Sequence, residues 1–252
     1  MKLSLSNGIF SKLNLEQNFA AVKELGFENI EFNMKSVRKE NDTDVYREQR
    51  LLVATGLNCL TLHLATLHVK DPVEVHRAVY YGKISLECAH ALCAPVVVVH
   101  SNISKKLSRE IREWCLAAVF GELKSFAKSL DIKLALENLS YTSTGFGKNV
   151  EQLEEIFGII DPEGEMGFTL DFCHSLETKE TSNLLEQYGK RLCNIHMANK
   201  NHQPFTKQTP ELTDLLSTLN GYGYDGPVTL ELHHSTPKET IAKTKSLFER
   251  LL

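Results

Sequence analysis

Seven side chains of the kinds that bind divalent cations recur along the chain at intervals of roughly one strand plus one helix. They are His63, His100, Glu137, Asp171, His174, His196 and Glu231. Carboxylates and imidazoles are the usual ligands of Mg²⁺, Mn²⁺, Co²⁺ and Zn²⁺. Glu137, Asp171, His196 and Glu231 together offer three carboxylates and one imidazole, a set so rich in oxygen that it leans away from a purely structural zinc. His174 follows Asp171 by three positions and suits a second metal or a substrate oxygen. His63 and His100 occupy matching places on two earlier strands. The alternative reading is polar filling of a wet interior. It accounts for serines and threonines, but not for acids and imidazoles that come last in strand after strand, because a buried ionised carboxylate is costly unless it is paired or on a metal.

Residues this far apart in sequence meet only if the elements between them bring them to one place. Apolar runs alternate with stretches of helical period from end to end. The spacing predicts strands over residues 3–6, 29–32, 58–64, 95–100, 133–138, 167–172, 193–197 and 227–232. Helices are predicted over 15–25, 44–54, 72–92, 108–129, 150–160, 182–190, 210–219 and 237–252. Pro72, Pro210 and Pro237 suit first helical turns, where a missing N–H costs nothing. Gly26 and Gly56 stand where left-handed caps are expected. Strands alternating with helices imply parallel strands joined by right-handed crossovers. Eight such units in 252 residues predict one α/β domain over residues 1–252, a (β/α)₈ barrel, whose strand C-termini share one rim. No linker or composition break divides the chain.

Strand phase sharpens the expectation, since side chains alternate faces along a strand. Thr61 shares a face with His63, Ala135 with Glu137, Thr169 with Asp171, Asn194 with His196, and Thr229 with Glu231. Ser4, Ser6 and Glu31 fall on the corresponding side of the first two strands. The large apolar residues take the opposite, helix-facing side. The fourth strand is apolar on both faces and carries no phase information.

Composition describes an ordinary globular protein, 42% hydrophobic and 24% charged. A net charge of −4 and a pI of about 6.2 weigh against nucleic acid as a partner. No segment approaches a membrane span, and the amino terminus lacks a basic stretch followed by an apolar one, so a cytoplasmic location is expected. The six cysteines form no CxxC pair and read as reduced, mostly buried thiols. Cys173, between Asp171 and His174, is the one placed to touch the site. His68, His76, His90, His202, His233 and His234 lack support from strand position and read as packed or solvated; of these, His202 follows the strand-seven loop.

Four short motifs carry a resemblance that covers essentially the whole chain: LALEN at 134–138, TLDFCH at 169–174, NIHM at 194–197 and GYDGPVTLE at 223–231. In order and spacing they resemble the xylose-isomerase-like barrel superfamily, which includes sugar isomerases and epimerases, inosose dehydratases, hydroxypyruvate isomerases and metal-dependent apurinic endonucleases. The resemblance implies that Glu137, Asp171, His196 and Glu231 hold one catalytic divalent metal (Mn²⁺, Mg²⁺, Co²⁺ or Zn²⁺). It implies that His63, His100 and His174 line the substrate pocket, as in the isomerases, or join a multi-zinc cluster, as in the endonucleases. Many relatives are dimers or tetramers, so a homo-oligomer is expected. The chain departs from the family pattern after strand seven. HMANKNHQPFTKQTPE, residues 196–211, has neither the Asp-x-His of the endonucleases nor a glycine-rich turn, which disfavours the multi-zinc cluster and nuclease activity.

The reaction this implies is isomerisation or epimerisation of a small sugar or related polyhydroxy carbonyl compound through an enediolate. Glu137 and Glu231 are expected to exchange the α-proton and His174 to donate to a substrate oxygen. His63, His100 and Lys200 are expected to bind substrate. Lys105, Lys106 and Lys200 are candidates to attract a phosphate, against the reading of solvated loop lysines. The rival functions are an apurinic endonuclease, an inosose-type dehydratase and a sugar-binding barrel without turnover.

Overall fold

The computed structural model describes residues 1–34 and 45–252. Eight strands run in chain order around a closed barrel: β1 (Lys2–Ser6), β2 (Asn29–Asn33), β3 (Asn58–His63), β4 (Val96–Val99), β5 (Lys133–Glu137), β6 (Gly167–Asp171), β7 (Leu192–Met197) and β8 (Pro227–Leu230). Every pairing is parallel, and β8 closes on β1. Nine α-helices lie among the described residues: α1 (Leu15–Glu24), α2 (Val45–Thr55), α3 (Val75–Ala91), α4 (Arg109–Ser129), α5 (Val150–Ile160), α6 (Phe172–Thr178), α7 (Thr181–Tyr188), α8 (Pro210–Gly221) and α9 (Lys238–Leu251). None is long and apolar enough to cross a membrane.

The predicted alternation of faces holds around the ring. Leu5, Ile30, Phe32, Leu62, Leu134, Leu136, Phe168, Leu170, Ile195, Val228 and Leu230 pack outward into one core beneath the helices. Ser4, Ser6, Glu31, Thr61, Thr169, Asn194 and Thr229 are buried as well. They form a polar filling inside the barrel, where Glu31, Thr61, Asn194 and Thr229 are joined by hydrogen bonds. In β4, Val97 and Val99 join the outer core while Val98, also buried, does not. That assigns the inward phase to Val98, and with it to His100. Two bulges adjust register: Leu60 is the extra residue of β3 opposite Ile30 and Glu31, and Cys193 that of β7 opposite Phe168 and Thr169. A bulge re-aims the side chains beyond it, and here those are Thr61, His63, Asn194 and His196.

Some boundaries differ from the sequence reading. Residue 44, predicted to open a helix, lies outside the described residues. The helix predicted over 72–92 begins as a 3-10 turn, Pro72–Glu74. Asp71 caps it by accepting from the Val73 N–H at 3.0 Å, while Glu74 reaches back to the Asp71 N–H at 3.2 Å. Pro237 is the N-cap of α9 rather than part of its first turn. Gly26 and Gly56 adopt the expected left-handed backbone, with φ of +75° and +62°. All six cysteines are free, and Cys93 is exposed instead of buried. The short helix α6 was not foreseen at all.

On the rim opposite the strand C-termini, Asp161 ties three elements together. Its carboxylate accepts from the N–H of Glu165 at 3.0 Å and of Met166 at 2.9 Å. It also pairs with Lys124 of α4 at 3.0 Å and with Arg191 just before β7. Burial would raise its pKa, but these donors hold it below the usual carboxylate value. Asp161→Ala should therefore cost about 3 kcal/mol at neutral pH, measured by urea unfolding. A depressed pKa stabilises most above the unfolded value of about 3.9, and that contribution fades as pH falls through the lower native value. The gap between wild type and variant should accordingly narrow in acid; a gap independent of pH would contradict the pairing.

Candidate metal centre

All seven metal-type side chains reach one rim. Glu137 ends β5, Asp171 ends β6, His63 ends β3, and His196 is the penultimate residue of β7. His100 and Glu231 follow directly after β4 and β8. His174 is the third residue of α6, which starts from β6 without an intervening residue.

Asp171 divides its two oxygens between structure and site. Oδ1 caps α6 by accepting from the His174 N–H at 2.8 Å. Oδ2 faces the centre and has no hydrogen-bond partner among the described residues. Asn138 locks this corner: its amide donates to the Asp171 carbonyl at 3.0 Å and accepts from the Asp171 N–H at 2.8 Å. The Asn138 carbonyl lies 2.9 Å from His174 Nδ1, which makes that nitrogen a donor when the ring is neutral and turns Nε2 outward. His63 Nδ1 is fixed in the same way on the Leu64 carbonyl at 3.1 Å.

Glu137 occupies the middle. Its Oε2 lies 2.8 Å from His100 Nε2 and 3.4 Å from His63 Nε2. Its Oε1 lies 3.2 Å from His196 Nδ1 and 3.8 Å from His174 Nδ1. His196 Nδ1 is also 3.4 Å from Glu231 Oε2 and 3.9 Å from Asp171 Oδ2. Thus Glu137 Oε1, Asp171 Oδ2 and His196 Nδ1 converge, buried and without hydrogen-bond partners among the described residues. With Glu231 they form a group whose ligand atoms lie within 4.8 Å of one another. Ligands about 2.1 Å from one tetrahedral cation stand roughly 3.4 Å apart. The separations of 3.2, 3.4 and 3.9 Å match that requirement, so the residues fit a divalent metal.

The charges tell the same story. Burial pushes the Asp171 carboxyl well above its usual pKa, reinforced by Glu137 and Glu231. Burial also works against Glu137, yet the imidazoles of His100 and His196 hold it well below the carboxylate range. Glu231 is brought to about 2 in spite of burial, mainly by His196. Burial disfavours a charged His196, but Glu31, Glu137 and Glu231 raise its pKa well above the ordinary imidazole value. Anionic groups crowded this tightly demand positive charge among them.

Two residues were not foreseen as parts of the site. Glu31 of β2 accepts from His196 Nε2 at 2.8 Å across the barrel. Its inward phase was legible, but the contact spans 165 positions and leaves no local signal. His202 does approach the centre, contrary to its reading as packed or solvated. It completes a further group with Asp171 and His174, and its Nδ1 lies 3.0 Å from the Glu231 carbonyl. Asn201 and His202 both have positive φ, +58° and +52°, and this bend returns the chain to the rim. Cys173 touches the site indirectly, accepting from the His202 N–H at 3.3 Å, and burial pushes its thiol up to about 12. Lys200 is exposed on a separate groove of about 520 Å³ shared with Lys179 and Glu211. Lys105 and Lys106 are exposed too. A cavity of about 210 Å³ opens beside Glu231, lined by Ser6, Gly8, Asn33 and His202 among others.

The family model described as xylose isomerase-like TIM barrel matches residues 19–250. Among solved structures, 3-keto-D-glucoside 4-epimerase, YcjR, from E. coli superposes with a TM-score of 0.78 at 17% identity, over 98% of this chain and 99% of its own. The IolI protein solved with a bound zinc atom gives 0.79 at 20%, over 100% and 98%. An AP endonuclease of family 2 from Brucella melitensis gives 0.77 at 18%, over 95% of each chain. At these identities the likeness establishes the fold. No curated protein matches the chain by sequence.

Proposed function

The chain belongs to the xylose isomerase-like TIM barrel family, and from that premise we propose that it is a divalent-metal-dependent isomerase or epimerase of a small sugar or related polyhydroxy carbonyl compound. The observation that carries this reading is the convergence of Glu137 Oε1, Asp171 Oδ2 and His196 Nδ1, unpartnered among the described residues, beside Glu231 Oε2. A divalent cation held by those four residues supplies Lewis acidity that lowers the cost of negative charge on a substrate oxygen. Mn²⁺, Mg²⁺, Co²⁺ and Zn²⁺ all suit the donor set.

Glu231 borders the 210 Å³ cavity and is the more accessible of the two glutamates. Its low pKa keeps it ionised, ready to take the α-proton of a bound substrate. Glu137, more deeply buried against His100, stands opposite to return a proton. His174, with Nδ1 on the Asn138 carbonyl, presents Nε2 to a substrate oxygen, while His63 and His100 border the same space beside Glu137. Lys200 lines a separate groove, so it is given no part in binding substrate at the centre. The sugar epimerases among the structural neighbours support this reading.

A panel of ketoses incubated in deuterated water with metal-loaded protein tests it. Solvent deuterium should appear at an α-carbon of at least one ketose. No exchange across a broad panel, with metal demonstrably bound, would overturn the isomerase reading. Chelation should lower turnover by about 10²-fold or more, and added divalent metal should restore it.

A second reading has a specific observation behind it. His63, His100 and Glu137 form another potential metal group, as do Asp171, His174 and His202. Occupancy of all three would favour the apurinic endonuclease reading. Metal counting by elemental analysis separates the two: one equivalent per chain supports the isomerase, and two or three with cleavage of an abasic duplex support the nuclease.

A further inference from the structure

Glu31 is buried in the middle of β2, and no step of the proposed chemistry uses it. The surrounding chain is arranged to fix that carboxylate. The bulge at Leu60 brings Thr61 opposite it, and the Thr61 hydroxyl donates to Oε2 at 3.0 Å. From β7, the Asn194 amide donates to the same oxygen at 3.3 Å. Asn194 is itself oriented, because Thr229 of β8 donates to its Oδ1 at 3.1 Å and leaves only the NH₂ group to face Glu31. Two strands thus donate to one carboxylate oxygen, and a third orients one of the donors.

That oxygen also meets His196 Nε2 at 2.8 Å. The His63 ring stacks on the His196 ring, with centroids 5.6 Å apart and planes within 10°. One face and one edge of the imidazole are therefore set. Nδ1 is the atom left over, and it points at Glu137, Glu231 and Asp171. A neutral imidazole protonated on Nε2 can offer Nδ1 as a lone-pair donor, and a carboxylate on the N–H makes that donor more basic.

We propose that Glu31 is a positioning residue for the metal centre: it selects the Nε2–H form of His196 and thereby makes Nδ1 the metal ligand. The proposal rests on the metal-centre reading above. A purely structural role for Glu31, as polar filling of the barrel, would affect folding and leave the His196 ring state and metal affinity alone.

The test titrates wild type, Glu31→Gln and Glu31→Ala with Co²⁺ and Zn²⁺, alongside thermal unfolding of each metal-free protein. Glutamine keeps an acceptor for Nε2–H but not the charge, so affinity should weaken by about 10-fold, while metal-free stability stays close to wild type. Alanine removes the acceptor, and the loss should approach 100-fold. Imidazole ¹⁵N NMR of the Zn²⁺-loaded wild type should show His196 protonated at Nε2 and unprotonated at Nδ1. This last measurement can overturn the proposal even if neither variant folds. Wild-type affinity in both variants, or an unprotonated Nε2 in wild type, overturns the role of Glu31 alone. A wild type that binds neither metal removes the metal-centre reading and this proposal with it.

Discussion

Replacing Glu231 by glutamine lowers kcat by about 10³-fold, with little change in KM. The amide keeps the size of the side chain and an oxygen near His196, but it cannot accept a proton. Loss of a positioned acid–base group costs 10²- to 10⁴-fold, and an interaction needed only in the transition state is lost from kcat rather than from KM. The structure points to Glu231 because it borders the 210 Å³ cavity and His196 holds its carboxyl in the ionised form. Steady-state kinetics at saturating Mn²⁺ separates this from simple loss of metal, which added metal would reverse. Deuterium exchange at the α-carbon should fall on the same scale. A loss of less than tenfold would remove Glu231 from the acid–base role.

Asp171→Asn weakens metal binding by about 10²-fold without loosening the fold. The His174 N–H requires an acceptor at the start of α6, so the asparagine oxygen is held there, as Asp171 Oδ1 is now. The amide nitrogen must then replace Oδ2 at the centre, where it offers a cation no lone pair. Spreading the roughly 10–16 kcal/mol of a tight zinc site over four ligands assigns about 3 kcal/mol, or about 10²-fold in affinity, to each. Stability should not fall, because the variant removes a carboxyl that burial and two neighbouring glutamates already push toward protonation. Asp171→Ala should lose metal equally and about 1 kcal/mol of stability besides, from the missing cap. Calorimetric metal titration and thermal unfolding of both variants check the division. An Asp171→Asn protein that binds metal as tightly as wild type would show that Oδ2 is not a ligand.

Much of this was legible beforehand, for identifiable reasons. A barrel strand states its two faces in its own alternation, so Thr169 and Asp171, or Asn194 and His196, announce their side without reference to any other strand. The four all-valine positions of β4 carry no such statement. Only the packing of Val97 and Val99 against helices assigns His100 to the interior. Contacts across the barrel are silent too: nothing near Glu31 in sequence hints at His196. His202 escaped because two successive non-glycine residues adopt left-handed backbone, a bend that no local composition demands. Helix α6 escaped because its N-cap is the same aspartate that ends the preceding strand, so Phe172 read as the tail of β6 and residues 173–178 as the connection after it.

That double duty of Asp171 bears on how such a chain can change length. Elsewhere around the ring, connecting residues separate a strand from the α-helix after it. Between β6 and α6 there are none. One inserted residue between Phe172 and His174 would turn the imidazole by about 100° around the helix axis and carry it off the rim. Insertions and deletions that preserve the chemistry should therefore accumulate at other corners of the barrel, leaving this one the same length wherever Asp171 and His174 work as a pair.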